Sequence, residues 1–149
     1  MVTNARVDTE TVLAVEDLRT YFTTRWGTVK AVDGISFDLR KGETLGIVGE
    51  SGCGKSVTML SLMRLIPEPP GRIVSGSITL DGEDIVQISE QEMAEIRGSK
   101  IALIIQDPMT SLNPVFSIGN QVEEAIQIHQ DIPKRSIMEG ALEVLRKVN

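Results

Sequence analysis

Residues 49–56 read Gly49-Glu50-Ser51-Gly52-Cys53-Gly54-Lys55-Ser56, and they match G-x-x-x-x-G-K-[ST], the phosphate-binding loop, at every fixed position. Chemistry dictates the spacing. The glycines let the backbone turn so that successive N–H groups converge on phosphate oxygens. Lys55 carries a full charge to the β- and γ-phosphates, and the Ser56 hydroxyl is a ligand for Mg²⁺. A helix opening through Val57 adds its positive end to the same anion site. The apolar run Leu45-Gly46-Ile47-Val48 leads in as a buried strand does, and residues 57–63 lead out with Met59 and Met63 on one helical face. The stretch predicts a strand, loop and helix that bind a nucleoside triphosphate.

Upstream, Met1–Glu10 is polar and is expected to be disordered. Thr11–Leu18 alternates weakly and predicts a strand; Tyr21, Phe22, Trp26 and Gly27 follow in an expected hairpin or loop. Val29–Leu39 predicts another strand, with Ile35, Phe37 and Leu39 on one face and Ser36, Asp38 and Arg40 on the other. Downstream, Pro67, Pro69, Pro70 and Gly71 end the loop's helix. Ile73–Ile85 reads as a short β region turning at Asp81-Gly82. Ser89 with Glu92 three residues on predicts a capped helix to Arg97. Ile101–Ile105 is the second continuous apolar run, expected as a buried parallel strand. Two helices are expected to follow, about residues 117–130 and 133–148, the second with an apolar stripe of Ile137, Ala141, Leu142, Leu145 and Val148. Parallel core strands, an antiparallel annex and late helices define an α/β class.

Composition narrows the function. A chain of 149 residues is long enough for one domain with a real core. A net charge of −6 and a pI near 4.8 argue against nucleic acid as the main partner. Aromatics at 3% leave little for stacking on single strands. No apolar stretch reaches the ~20 residues of a membrane span, and the N-terminus shows no signal peptide. The single Cys53 excludes an intrachain disulfide and fits a reducing compartment. A thiol among phosphate-binding amides is expected to react readily, with bound nucleotide protecting it from alkylation.

After the second apolar run come Gln106-Asp107-Pro108. Asp107 is one candidate for the Mg²⁺-holding acid that a P-loop enzyme places at a strand end. Gln106 is the other: its amide oxygen can ligate Mg²⁺ while its nitrogen donates to a water.

With Ile105-Gln-Asp-Pro-Met-Thr-Ser-Leu-Asn-Pro114, the Gly49–Ser56 loop resembles the Walker A and Q-loop of ABC transporter ATPases. The Q-loop wording, together with Ala31-Val-Asp-Gly-Ile-Ser-Phe37 and Gly42-Glu-Thr-Leu-Gly-Ile-Val48, is similar to the oligopeptide/dipeptide (and nickel) importer branch. The resemblance runs from about Val12 onward. It implies a P-loop NTPase (ABC ATPase) core with an antiparallel β annex and the start of a helical subdomain from about residue 117: the N-terminal part of an ABC-type ATP-binding domain over residues 11–149. It implies that Phe22, with Tyr21 and Trp26 as neighbours, stacks on adenine. Ser51–Ser56 would wrap the phosphates, and Gln106 would complete the Mg²⁺ shell and report to residues 107–114. That loop is where the family's ATPase meets its membrane permease.

The resemblance further implies ATP and Mg²⁺ as cofactors, a second ATPase subunit, and indirectly a solute-binding protein. The site would be peripheral, on the cytoplasmic face of the inner membrane. The family's signature sequence, Walker B strand with its catalytic Glu, and switch His are absent from these 149 residues. His129, the single histidine, is expected to be a solvent-facing helix residue. The expectation is a subunit of an importer for peptides or a similar small solute, these residues alone binding MgATP without efficient hydrolysis. The alternatives are a non-hydrolysing regulatory module and a soluble P-loop ATPase unconnected with transport.

Overall fold

The computed structural model describes residues 10–105, 111–130 and 132–148. They divide into two compact units between Arg97 and Gly98. The first is built on β1 (Thr11–Thr24) and β2 (Gly27–Arg40), then α1 (Lys55–Leu62), β3 (Gly71–Leu80), β4 (Glu83–Asp84) and α2 (Glu90–Ile96). The second holds α3 (Ile118–His129) and α4 (Lys134–Lys147).

The strands form an antiparallel sheet in the order β2-β1-β3-β4. β1 runs past its expected end at Leu18, because Thr20, Tyr21, Phe22, Thr23 and Thr24 all suit a pleated surface. Tyr21 and Phe22 therefore lie in a strand, and the hairpin turns at Arg25-Trp26. The β1–β2 register slips between Val15 and Leu18 and slips back between Leu18 and Arg19. β3 slips against β1 at the same level, between Glu16 and Arg19. Each of the three long strands places a left-handed residue there: Asp17 at φ 44, Gly34 at φ 84 and Gly76 at φ 98. At Gly76 this is obligatory, since a Cβ would lie 2.6 Å from both Asp17 O and Leu18 Cα. The Asp17 amide, displaced from the ladder, donates to Ser36 Oγ at 2.9 Å. The bulges bend the sheet while its inner face stays apolar.

That face buries Leu13, Val15, Leu18, Ile78 and Leu80, in a core shared with Leu62, Met63, Ile85, Met93 and Ile96. α2 begins with the expected capping box: Ser89 Oγ accepts from Glu92 N, and Glu92 accepts from Ser89 N. Glu90 pairs with Arg97, whose guanidinium also donates to Met63 O and Arg64 O, tying α2 to the end of α1. In the second unit Ile126, Ile137 and Ala141 form a small core with Val122 and Ile132.

Three expectations are corrected. Leu45–Val48 is not a buried strand: residues 43–50 adopt no regular structure and Val48 is 93% exposed. Ile101–Ile105 makes only an isolated bridge at Ile101, and Ile104 is 96% exposed. A continuous apolar run becomes a strand through ladder partners on its edges and cover on its faces, and neither run has them among the described residues. On α4 the stripe is covered only at Ile137 and Ala141, while Leu142, Leu145 and Val148 are exposed, because α3 covers one side of the helix. Gln106, Asp107 and the expected disorder of residues 1–9 lie outside the described residues.

Candidate phosphate-binding site

Gly49–Ser56 turns directly into α1. Gly52 (φ 82) and Gly54 (φ 98) occupy left-handed conformations that an L side chain resists. Gly54 is constrained twice, because a Cβ there would stand 2.3 Å from the backbone oxygen of Ala31 in β2. The loop is thus pressed onto the sheet at its last glycine. That contact has no signature in the local sequence.

Having no side chain, Gly54 gives α1 no side-chain cap. The amides of Lys55, Ser56 and Val57 have no intrahelical acceptor, as at any helix start. The first turn of α1 carries no acidic residue, whereas α2 has Glu90 and Glu92 there and closes its own end. The positive end of α1 therefore faces outward unneutralised. Lys55 Nζ folds back over the loop and donates to Gly49 O at 2.7 Å and Glu50 O at 2.6 Å, with Cys53 Sγ at 3.6 Å. Cys53 is exposed and unpaired by any disulfide. Ser56 is exposed, and its hydroxyl has no hydrogen-bond partner among the described residues. Helix-start amides and a hydroxyl with no partner among the described residues, together with one lysine, are the ligand set that a Mg²⁺–phosphate group requires; the residues present fit it.

The helix behind the loop is anchored by polar contacts that the sequence did not advertise. Thr58 Oγ1 donates to Gly54 O at 3.1 Å. Ser61 Oγ donates to Val57 O at 2.7 Å and meets Thr20 Oγ1 of β1 at 2.8 Å, and both Thr20 and Ser61 are fully buried. Beside the loop an apolar cleft of about 260 Å³ is lined by Ile35, Phe37, Leu45 and Ile47 together with Lys55 and Thr58. A larger cleft, about 370 Å³, opens between Arg64, Arg72, Glu68 and Glu90. It is no match for an anion: Arg64 is committed to the carbonyls of Ile85 and Ile88, and two carboxylates offset the arginines.

The three candidate aromatics are in different states. The Phe22 ring is half-buried over Gly71, where a Cβ would come within 2.6 Å of Phe22 Cε1 and of Ile66 Cγ2. Tyr21 donates its hydroxyl to Asp33, which also accepts from Arg19 and Lys30 and is held below the usual carboxylate range, chiefly by that Tyr21 bond. Trp26 is 81% exposed at the hairpin tip, with the Arg25 guanidinium 3.8 Å from its ring centroid. His129 is exposed, as expected, although its ring lies against Gly98.

The chain as a whole is similar to several known proteins. The probable peptide ABC transporter ATP-binding protein y4tR of Sinorhizobium fredii is 46% identical over 99% of this chain and 44% of its own length. The oligopeptide transport ATP-binding protein OppD of Bacillus subtilis is 49% identical over 92% of this chain and 38% of its own length. The dipeptide transport ATP-binding protein DppD of the same organism is 48% identical over 93% and 42%. The chain spans about two fifths of the length of these curated relatives. Among solved structures, the ATP-binding cassette MJ0796, described as a dimeric post-hydrolysis state bound to ADP and Pi, superposes with a TM-score of 0.76 at 20% identity. That match covers 90% of this chain and 56% of the other and establishes the fold, an α/β ABC ATPase architecture of which the antiparallel sheet and helices here form part. Residues 32–148 match the family model for ABC transporters, and the chain belongs to that family.

Proposed function

We propose that this chain is the nucleotide-binding part of an ABC importer subunit that couples ATP binding and hydrolysis to uptake of peptides or a similar small solute. The observation that carries the reading is the open N-terminus of α1 beneath a glycine loop with Lys55 folded across it. The names of the relatives supply the transport context.

Lys55 and the amides of residues 51–57 hold the phosphates, Ser56 with Gln106 holds the metal, and Phe22 is retained as the adenine-stacking group. Mg²⁺, when bound with the nucleotide, neutralises charge across the β- and γ-oxygens. The chain's own contribution is orientation: the loop is fixed to β2 at Gly54, which limits how far its donors must move to meet the phosphates. No residue here matches the carboxylate that would orient an attacking water, so these residues by themselves bind MgATP without efficient turnover. Among the described residues no helix is long and apolar enough to cross a membrane. On this reading, coupling would pass through protein contact at residues 106–114 to a membrane permease pair, with the subunit peripheral to the cytoplasmic face. A second ATPase subunit would complete the nucleotide site, and a solute-binding protein would act through the permeases.

The test is MgATP affinity of the protein expressed from its own gene, by equilibrium dialysis. Lys55→Ala removes a charged hydrogen-bond donor worth about 1.5–3 kcal/mol, a loss of roughly 10- to 100-fold. MgATP is also expected to slow alkylation of Cys53. Undiminished affinity in Lys55→Ala, with equal labelling rates with and without nucleotide, refutes the site. Undiminished peptide uptake after deletion of the gene refutes the transport role.

A further inference from the structure

α1 ends on an arginine in a conformation that arginine resists. Met63 caps the helix and Arg64 follows at φ 50. The Arg64 N–H donates to Ser61 O at 3.0 Å and the Leu65 N–H to Leu60 O at 2.8 Å. This is the paired-bond helix ending whose left-handed position is ordinarily glycine. Among the described residues the other non-glycine positive φ angles belong to Asp17 and Asp81, a residue type that tolerates the left-handed region as arginine does not. Strain of this kind persists only where the surroundings enforce it.

The enforcing group is Arg97. Its Nε donates to Met63 O at 2.8 Å and its Nη2 to Arg64 O at 3.1 Å, while Nη1 donates to Glu90. The Arg97 N–H donates to Met93 O, so the guanidinium stands on the end of α2. Arg64 answers in the other direction, donating through Nη1 to Ile85 O and Ile88 O just before α2 begins. α1 has no basic residue in its own last turn, so Arg97 also supplies the positive charge that the carbonyl end of a helix favours.

α1 has eight residues and is about 12 Å long. Its N-terminal end bears on Ala31 O at Gly54, and Ser61 ties it to Thr20 of β1. Two points of attachment leave a rod free to turn about the line joining them, and such a turn re-aims Lys55, Ser56 and the amides beside them. A third point off that line fixes it. We propose that Arg97 is a positioning residue for the phosphate site: by clamping the strained end of α1 it sets the direction in which the opposite end presents its donors. The inference rests on the phosphate-binding reading above and not on the transport role.

The experiment uses the protein expressed from its own gene, with MgATP and inorganic triphosphate plus Mg²⁺ as probes. Arg97→Met keeps an unbranched side chain and removes its donors. Its affinity for MgATP, by equilibrium dialysis, is expected to fall roughly 5- to 30-fold, and its affinity for triphosphate by the same factor, because only the phosphate donors have turned. Without nucleotide, the alkylation rate of Cys53, which lies 3.6 Å from Lys55 Nζ at the far end of α1, is expected to change at least about 2-fold. Arg97→Lys keeps the charge without the planar fork and is expected to recover part of each effect. Arg72→Met removes an exposed arginine lining the cleft beside Arg64 and is expected to change none of them. A purely structural role lowers the urea midpoint and leaves affinity alone, because a variant about 99% folded loses only about 1% of its apparent affinity to unfolding. That outcome overturns the inference and leaves the phosphate site standing. So does an affinity loss with an unchanged Cys53 rate, a loss confined to MgATP, or an equal loss in Arg72→Met. If Arg97→Met does not fold, Arg97→Lys decides by the same measurements. Failure of the wild-type protein to bind MgATP removes the phosphate-site reading and this inference together.

Discussion

Replacing Gly54 with Ala tests how the phosphate-binding loop is held. Two costs add. The backbone at φ 98 puts a non-glycine residue in the left-handed region, at about 1–2 kcal/mol. The new Cβ then meets Ala31 O at 2.3 Å, roughly 1 Å inside contact distance, and overpacking of that kind costs about 1–3 kcal/mol. The atom it strikes is strand backbone, so relief requires the loop to lift off β2. The expected total is about 2–5 kcal/mol, read as a lower urea midpoint with unchanged slope, together with weakened MgATP binding. Gly52→Ala is the internal control, since it has the same handedness at φ 82 and nothing within 4 Å of its Cβ. It should lose only the strain, about 1–2 kcal/mol. Gly82→Ala, at φ 85 in the β3–β4 turn and equally unobstructed, should lose the same stability and leave nucleotide affinity untouched. If Gly54→Ala costs no more than Gly52→Ala, the contact with β2 does not hold the loop and the reasoning fails.

Two further outcomes follow from the packing around α1 and α2. Ser61→Ala strands the buried Thr20 hydroxyl and should cost about 1–3 kcal/mol; the double variant Thr20→Val with Ser61→Ala should lose clearly less than the sum of the singles, and strict additivity in a denaturation cycle would count against the bond. Glu90 is held below the ordinary carboxylate range, first by its hydrogen bond to Arg97 and also by Arg64, and Glu92 by the Ser89 hydroxyl and amide. A group with a lowered native pKa contributes stability that is complete above its unfolded pKa and is lost as pH falls through the folded one. Thermal melts from about pH 7 to about pH 3 should therefore show an acid limb that Glu90→Gln makes shallower, and an identical limb in that variant would remove the pair from the account.

Much of the architecture was legible because it is written in local patterns. The Ser89–Glu92 box, the Asp81-Gly82 turn and the alternation of Ile35, Phe37 and Leu39 each follow from nearest neighbours in the chain. The turn of residues 49–54 into α1 was legible for the same reason, as its glycines, lysine and serine are contiguous. What was not legible depends on distant residues. Leu45–Val48 and Ile101–Ile105 carry the composition of buried strands, but strand formation is a property of a pair, and composition is silent on whether a partner is present. The approach of Gly54 to Ala31 and the Thr20–Ser61 bond join residues 23 and 41 positions apart, through types common in any helix or strand. Gln121 is a further case: a glutamine on a helix has no pattern announcing that it will bond backward across eight residues.

The row of left-handed residues across the sheet bears on how this protein avoids sticking to itself. β2 is the outermost of the long strands among the described residues, and its 14 residues offer a long free edge. A flat edge of that length is a template for another chain to add to, the first step towards a fibre. At Gly34, and again at Ala31, the row of donors and acceptors falls out of step, so an incoming straight strand can match β2 on one side of a bulge or the other, never across it. The irregularities that bend the sheet around its core thereby cut its edge into short pieces, each a poor seed for aggregation.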